Sequence, residues 1–396
     1  MVNSDVFLKK TKALRSAKFI GSFQDLPHYP VLNDDAAKKV LETATGEIRA
    51  LFEEHPSLRS GERTPHWLRQ TQIRLDACLG NGRFSSVYQI KTIRSEDSKI
   101  YKAGDLVVKV LRPEITGKLN TLASRLVGLA KEGYILAQLQ HEHIIDIQAW
   151  TPTGVYGVSS GRADAFFLVL PRLHKTLSDR IDAWVKNTKK LRFAIHKREK
   201  KKMSLWEDRL EVILPLADAL RHLHERNILH RDVKPDNIGF TSEGVLKLFD
   251  FDMARLLPGS AKPDETFELT NYVGSMRYQS PECGLGEKYN CKSDTYAFAL
   301  ICHELISLKK PYADIASGDH HDLVFCTGLR PEIPPGWSED LVDLIQAGWS
   351  RDLSIRPSMA KMHELLTLLV PNLSGDDFTY PNTKGRLRRI PLNSGT

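Results

Sequence analysis

Apolar positions are sparse over the first seventy residues, with one exception. Between Asp34 and Phe52, Ala37, Val40, Leu41, Ala44, Ile48 and Leu51 recur at three- and four-residue spacing, which predicts an amphipathic helix. Residues 53–66 are polar, carry two prolines and read as a linker. From Ile73 the pattern changes. Leu75 to Ile90 reads as a strand, a glycine-containing turn and a second strand, and Leu106 to Leu111 (LVVKVL) as a buried β-branched strand. Leu119 to Leu139 is helical, and Phe166 to Leu170 is another buried strand. From Leu205 helical spacing dominates, at 205–225, 293–308, 338–348 and 358–369, with short strands near 237–240 and 245–249. No internal repeat is present. A strand-rich first part with one helix, followed by a helix-rich second part, predicts an α+β fold.

The length of 396 residues suits two or three domains, or one large two-part unit with extensions. An apolar share of 41% is enough for a sizeable core. No apolar run reaches about eighteen residues, so no transmembrane segment is expected. Residues 1–21 lack the apolar centre of a secretory signal. Five scattered cysteines without a CxxC pair argue for a reducing compartment and against a structural zinc site. The net charge of +7 is unevenly placed. Lys186 to Lys202 carries nine Lys/Arg against Glu199 alone, and 384–389 adds four more, so the remainder is mildly acidic. The plainer reading of the 186–204 insert is a solvated basic loop. Nuclear import, or contact with nucleic acid or an anionic surface, is the sharper alternative.

Candidate chemistry begins at Leu79-Gly80-Asn81-Gly82-Arg83-Phe84-Ser85-Ser86-Val87, where glycines between two strands let backbone amides approach phosphate oxygens. Taken alone it is an ordinary hairpin. Lys109 lies inside the apolar strand, where it either faces a solvent edge or holds a phosphate as a point charge. Glu132 on the following helix could pair with it, or could be a solvated glutamate. The string His230-Arg231-Asp232-Val233-Lys234-Pro235-Asp236-Asn237, followed by Asp250-Phe251-Asp252, changes that balance because it is long and rare by chance.

In these motifs and their order, from about Leu75 to Leu369, the chain resembles the eukaryotic protein kinases. Trp349 and Arg356-Pro357-Ser358-Met359 resemble the tyrosine-kinase-like branch of the serine/threonine kinases. The resemblance implies a bilobal fold, with a small antiparallel β-sheet lobe plus one helix over 73–170 and a larger, mainly helical lobe over 171–370, and ATP in the cleft. Residues 1–72 would be an N-terminal extension of unknown role and 371–396 a tail. It implies ATP-dependent phosphorylation of serine/threonine hydroxyls on protein substrates, with ATP and Mg2+ required, in intracellular signalling. A cytoplasmic location follows, with the nucleus as the alternative.

Residue by residue, Gly80, Asn81, Gly82 and Val87 match the glycine-rich loop, with Ser85 in place of its third glycine. Lys109 matches the lysine that contacts the α/β-phosphates, and Glu132 its partner. The resemblance makes Leu170 the gatekeeper, gives adenine the Pro171 carbonyl and the Leu173 amide, and sandwiches it under Val87 and Val108. Gly239 stands where an apolar residue usually forms the floor, which implies a roomier one unless Ile238 or Phe240 compensates. Asp232 matches the catalytic aspartate, Lys234 the lysine that neutralises γ-phosphate charge in serine/threonine kinases, and Asn237 and Asp250 the magnesium ligands. Ser275 stands where a threonine usually bonds aspartate and lysine. Glu282 should pair with Arg356, and Asp294 should brace the catalytic loop. Arg231 would bind a phosphorylated activation segment, with Ser260, Thr266, Thr270 and Tyr272 as candidates and Thr266 or Thr270 favoured. Asp252 replaces a glycine, which predicts a working site with a restricted backbone flip. His141, His143, His320 and His321 read as structural or surface residues. A scaffold without catalysis should have lost one of Lys109, Glu132, Asp232, Asn237 and Asp250; none is lost. A small-molecule kinase would not need the Ser275–Glu282 turn.

Overall fold

A computed structural model describes residues 33–56, 65–82, 84–94, 104–112, 119–156, 165–192, 207–259, 261–262, 264–270, 274–370 and 373. The basic insert beyond Arg192, the candidates Ser260 and Tyr272, and the tail after Val370 apart from Leu373 lie outside the described residues. The described residues fall into two compact units, the first within 1–140 and 145–172, the second within 141–144 and 173–396.

The first unit is built on a six-stranded sheet. Its strands are β1 (His66–Trp67), β2 (Ile73–Asn81), β3 (Ser85–Ile93), β4 (Leu106–Leu111), β5 (Ala149–Trp150) and β6 (Phe167–Pro171), in the spatial order β1-β5-β6-β4-β3-β2. All pairings are antiparallel except β1 with β5. β4 is buried along its whole length, as its unbroken β-branched run requires of a central strand. Two helices complete the unit, α1 (Asp34–Glu54) and α2 (Leu119–Ala137). α1 starts where Asn33 Oδ1 accepts the Ala36 amide at 2.8 Å, a side-chain cap for an otherwise unpaired donor. Residues ahead of 73 therefore belong to this unit through α1 and β1.

The second unit is mainly helical: α3 (Leu177–Arg192), α4 (Ile213–His224), α5 (Pro281–Leu285), α6 (Lys292–Ser307), α7 (Glu339–Gly348) and α8 (Met359–Leu369). Two small antiparallel sheets carry its loops. One runs β10 (Leu246–Leu248), β9 (Ile238–Phe240), β7 (Lys175–Thr176), and the other pairs β11 (Arg255–Leu256) with β8 (Ile228–Leu229). α6 is buried on all sides from Asp294 to Ile306, the polar Asp294, Thr295, His303 and Glu304 included.

Three expectations need correction. The single helix over 205–225 is a short turn at 207–210, a break, and then α4 from Ile213. Pro215 explains the break: its ring excludes a helical carbonyl four residues earlier, at Glu211. The start of the basic insert is not loop, because α3 continues through Arg192. His320 is not a surface residue. It is 5% exposed, between the Tyr312 and Phe325 rings, and burial pushes its imidazole down to about 4.

Candidate active site

In the first unit Lys109 and Glu132 meet inside the core. The Lys109 ammonium lies 2.6 and 2.9 Å from the two carboxylate oxygens, with the residues 5% and 1% exposed. Two long charged side chains at such depth are tolerated only as a pair. The β2–β3 turn is held tightly: the Gly82 amide donates to Ser85 O at 2.8 Å, and Arg112 Nη1 donates to Gly82 O at 3.1 Å. Asn81 Oδ1 accepts from Ser86 Oγ at 2.7 Å. Gly80 pairs across the hairpin with Val87.

The sheet register corrects one candidate. Val87 lies directly opposite Lys109, Tyr88 opposite Val108, and Gln89 opposite Val107. Side chains of opposed residues share a face and alternate along the strand. Val87, Lys109 and Val107 therefore share one face, and Val108, wholly buried with Tyr88, points to the other. The valine that accompanies Lys109 is Val107. Pro171 closes β6 opposite Leu106, and the Arg172 amide donates to Asp105 O at 2.7 Å.

In the second unit the residues from His230 to Asn237 form a loop between β8 and β9 that is braced from α6. Asp294, 1% exposed, accepts the amides of His230 and Arg231 at 2.8 and 2.9 Å and faces His224 Nε2 at 3.0 Å. Burial pushes its carboxyl up, but the His224 hydrogen bond, the charge of the neighbouring imidazoles and the His230 amide outweigh this and hold it below its ordinary value. The brace fixes Arg231 at φ 67°, a left-handed backbone that a bulky residue adopts at a cost.

Asp232 follows. Its Oδ2 accepts from Lys234 Nζ at 2.6 Å and from Asn237 Nδ2 at 2.9 Å, and the same Nδ2 reaches the Asp232 carbonyl at 2.9 Å. Lys234 Nζ also donates to Ser275 Oγ at 2.8 Å. Asp232 Oδ1 is buried with no hydrogen-bond partner, so this carboxylate keeps one acceptor unused. A cavity of about 20 Å³, room for one water, lies beside it, lined in part by Val233, Ser275, Tyr278, Cys283 and Tyr289. Gly274 must be glycine: its φ is +84° and a Cβ there would lie 2.4 Å from Arg231 O.

Asp250 adopts left-handed backbone, φ 67° and ψ 71°, at the entry of a 3₁₀ turn over Phe251–Met253. Phe251, fully buried, packs edge-on against His230 at 4.8 Å. Asp252 is inside that turn and not at positive φ, so in this conformation glycine is not required there. The donor set fits a hard divalent cation: Asn237 uses its amide nitrogen toward Asp232, which directs its oxygen elsewhere, and Asp250 adds a carboxylate.

Arg231 contacts the segment after Asp250 directly. Its Nε donates to Met253 O at 2.6 Å and its Nη1 to Thr270 O and the Tyr289 hydroxyl, both at 3.2 Å. Tyr289 in turn donates to Thr270 O at 2.8 Å, and its burial pushes the phenol up to about 12. Thr270 is thus brought to Arg231. Thr266 precedes Phe267, whose backbone pairs with Tyr289. Glu282 and Arg356 form a two-pronged pair at 2.7 and 3.1 Å, 3% and 1% exposed. Two partners escaped the sequence reading. Tyr289 carries no local pattern, and Glu304, which accepts from Tyr278 at 2.6 Å, sits in an apolar helix where nothing marks it as a ligand of the Ser275–Glu282 turn.

The expected roomy floor at Gly239 is absent. A Cβ at Gly239 would lie 2.5 Å from Leu173 Cδ1, because the Leu173 side chain already fills that space.

The model of the protein kinase domain matches residues 73–366. The chain belongs to the protein kinase domain family. A serine/threonine-protein kinase of Arabidopsis thaliana is 25% identical over 285 residues, which cover 72% of this chain and 44% of the relative. A probable serine/threonine-protein kinase of Dictyostelium discoideum is 27% identical over 297 residues, 75% of this chain and 28% of the relative. A dual serine/threonine and tyrosine protein kinase of Gallus gallus is 27% identical over 259 residues, 64% of this chain and 25% of the relative. The kinase chain thus spans less than half the length of these curated relatives. Among the described residues no helix is long and apolar enough to cross a membrane.

Proposed function

We propose that this kinase domain transfers the γ-phosphate of ATP to serine or threonine hydroxyls of protein substrates. The observation that carries the reading is Asp232. One of its oxygens is tied down by Lys234 and Asn237, and the other is buried, unpartnered and aligned by that same grip. Such a carboxylate orients a hydroxyl and accepts its proton as the oxygen attacks phosphorus. Lys234, anchored on Ser275, is the counter-charge for the transferring phosphoryl group and favours the short side chains of serine and threonine. Lys109, held straight by Glu132, contacts the α/β-phosphates, with Gly80, Asn81 and Gly82 cradling them and Val87 and Val107 against the base. The Pro171 carbonyl and Leu173 amide read adenine. Asn237 and Asp250 hold Mg2+, which when bound neutralises charge on the β- and γ-phosphates. Phosphoryl transfer needs mainly positioning and charge compensation, and these groups supply both. Phosphorylation of Thr270 or Thr266 belongs to the same proposal, with Arg231 as receiver.

The test is transfer of labelled γ-phosphate from Mg-ATP to a generic basic protein by the wild type and by Asp232→Asn. Label on Ser/Thr that vanishes in the variant supports the reading. Equal background in both, with ATP still bound, overturns it in favour of a binding scaffold.

A further inference from the structure

Helix α1 lies ahead of residues 73–366, the span of the family pattern, yet it packs along α2, the helix that carries Glu132. Its apolar stripe of Ala37, Val40, Ala44, Ile48 and Leu51 is buried, each residue 8% exposed or less. The stripe ends in an aromatic relay. Phe52 meets Tyr134 edge-on at 4.9 Å, and Tyr134 meets Trp150 edge-on at 5.3 Å. Trp150 is on β5, and the chain returns to that strand through β1: the Leu68 amide donates to Trp150 O at 3.0 Å and the His66 amide to Gln148 O at 3.1 Å. The two parts of the N-terminal segment are thus linked through the Tyr134–Trp150 contact, and Tyr134 is two residues from Glu132 along α2.

α2 has reason to need such a support. It contains Gly128 and Gly133 in its interior, and glycine weakens a helix through its backbone freedom. At Gly133 it also presses close to the sheet, where a Cβ would lie 2.9 Å from Leu168 Cδ2 and 3.2 Å from Trp150 Cε3. The Glu132–Lys109 pair depends on that close approach, since their contact of 2.6 Å tolerates no drift of the helix.

We infer that α1 is a built-in positioning element for the reaction: it backs α2 and holds Glu132 on Lys109, so that the N-terminal segment is part of the catalytic apparatus although it touches no reactant. The inference rests on the kinase reading for its kinetic consequence, but not for its structural one.

The experiment uses the full chain with Ile48→Asp, which puts a carboxylate into the α1–α2 seam, with Phe52→Ala as a milder variant that removes one ring of the relay and Ile48→Val as the conservative control. The first readout is amide hydrogen exchange. Exchange across 119–137 should rise about tenfold or more in Ile48→Asp and less in Phe52→Ala, with 292–307 of α6 unchanged and Ile48→Val like the wild type. The second is kcat/KM for Mg-ATP. It should fall about tenfold in Ile48→Asp, but less than twofold when the same change is made in a Glu132→Gln background, because the element acts through that residue. Unchanged exchange in 119–137, or equal kinetic losses in both backgrounds, overturns the inference. If Ile48→Asp fails to fold, Phe52→Ala decides on the same two criteria. If the wild type transfers no phosphate, the kinase reading has failed, and the exchange arm alone decides whether α1 holds α2.

Discussion

The Gly239–Leu173 contact permits a size exchange. β9 pairs with β7 so that Gly239 faces Thr176, and the chain just ahead of β7 lays Leu173 over the glycine. A Cβ built at 239 would lie 2.5 Å from Leu173 Cδ1, 3.1 Å from its Cβ and 3.2 Å from its Cγ. The Cδ1 and Cγ contacts can be relieved by side-chain rotation, but the Cβ contact requires the strand or the Leu173 backbone to give. Overpacking of this kind costs about 1–3 kcal/mol, so Gly239→Leu should lose roughly 2 kcal/mol and about 4–8 °C in Tm. Leu173→Ala alone opens a gap at a half-buried site and should cost roughly 1–2 kcal/mol, below the range for a full core leucine. Together the two changes return one leucine to one space. The double variant should be more stable than the sum of the singles by about 1–3 kcal/mol, read from thermal unfolding. Mg-ATP affinity should follow the same pattern, weakened in Gly239→Leu and recovered in the double variant. Additivity within about 0.5 kcal/mol would refute the reasoning, since it would mean that the two side chains do not compete for one volume.

Three further outcomes are expected. Arg356→Met strands the buried Glu282 carboxylate and leaves the Lys292 and Ser350 carbonyls without their donor, so it should cost about 3–5 kcal/mol in denaturant unfolding; wild-type stability would contradict the buried pair. Burial raises the Glu304 carboxyl to about 7, so between the ordinary carboxyl value of 4.5 and that point the native chain keeps a proton that the unfolded chain has lost. Stability should therefore fall as pH rises across this window, by roughly 3 kcal/mol in all, and Glu304→Gln should flatten the profile; an unchanged slope would reject the assignment. Asp252→Gly should destabilise by roughly 0.5–1 kcal/mol, because Asp252 sits unstrained in its turn, and should ease the flip of the Asp250–Asp252 segment by inhibitors that require it. Unaltered nucleotide kinetics and unaltered flipping would remove the idea of a restricted switch.

The clustering of the 230–237 loop was legible because the motif places particular residue types within a few positions. Asp232, Lys234 and Asn237 are close in sequence and close in space, and the string that contains them is rare by chance. The buried strand Leu106–Leu111 was legible for a different reason, since an unbroken β-branched run has few other uses. Several of the missed features turned on a neighbour that sequence does not place nearby. The resemblance gives adenine Val108, whereas strand alternation puts Val107 on the face of Lys109, and the register opposite Val87 makes this concrete. Gly239 looked like an opening because its occupant, Leu173, is sixty-six positions away. Tyr289 and Glu304 became visible only as the partners of Arg231 and Tyr278.

The helix at 34–54 is the instructive middle case. Its apolar period was plain, and a period of that kind states that a face must be covered without saying by what. The cover is α2, which carries one half of the Lys109–Glu132 pair. A buried ion pair is held together less by its own attraction, which desolvation largely cancels, than by the packing that denies either charge a return to water. Packing on the outer side of α2 therefore bears on the chemistry on its inner side. On the proposed reading, a segment with no motif of its own thereby carries weight in the reaction: the motif residues would touch the phosphates, and the apolar stripe of α1 would keep Glu132 on Lys109.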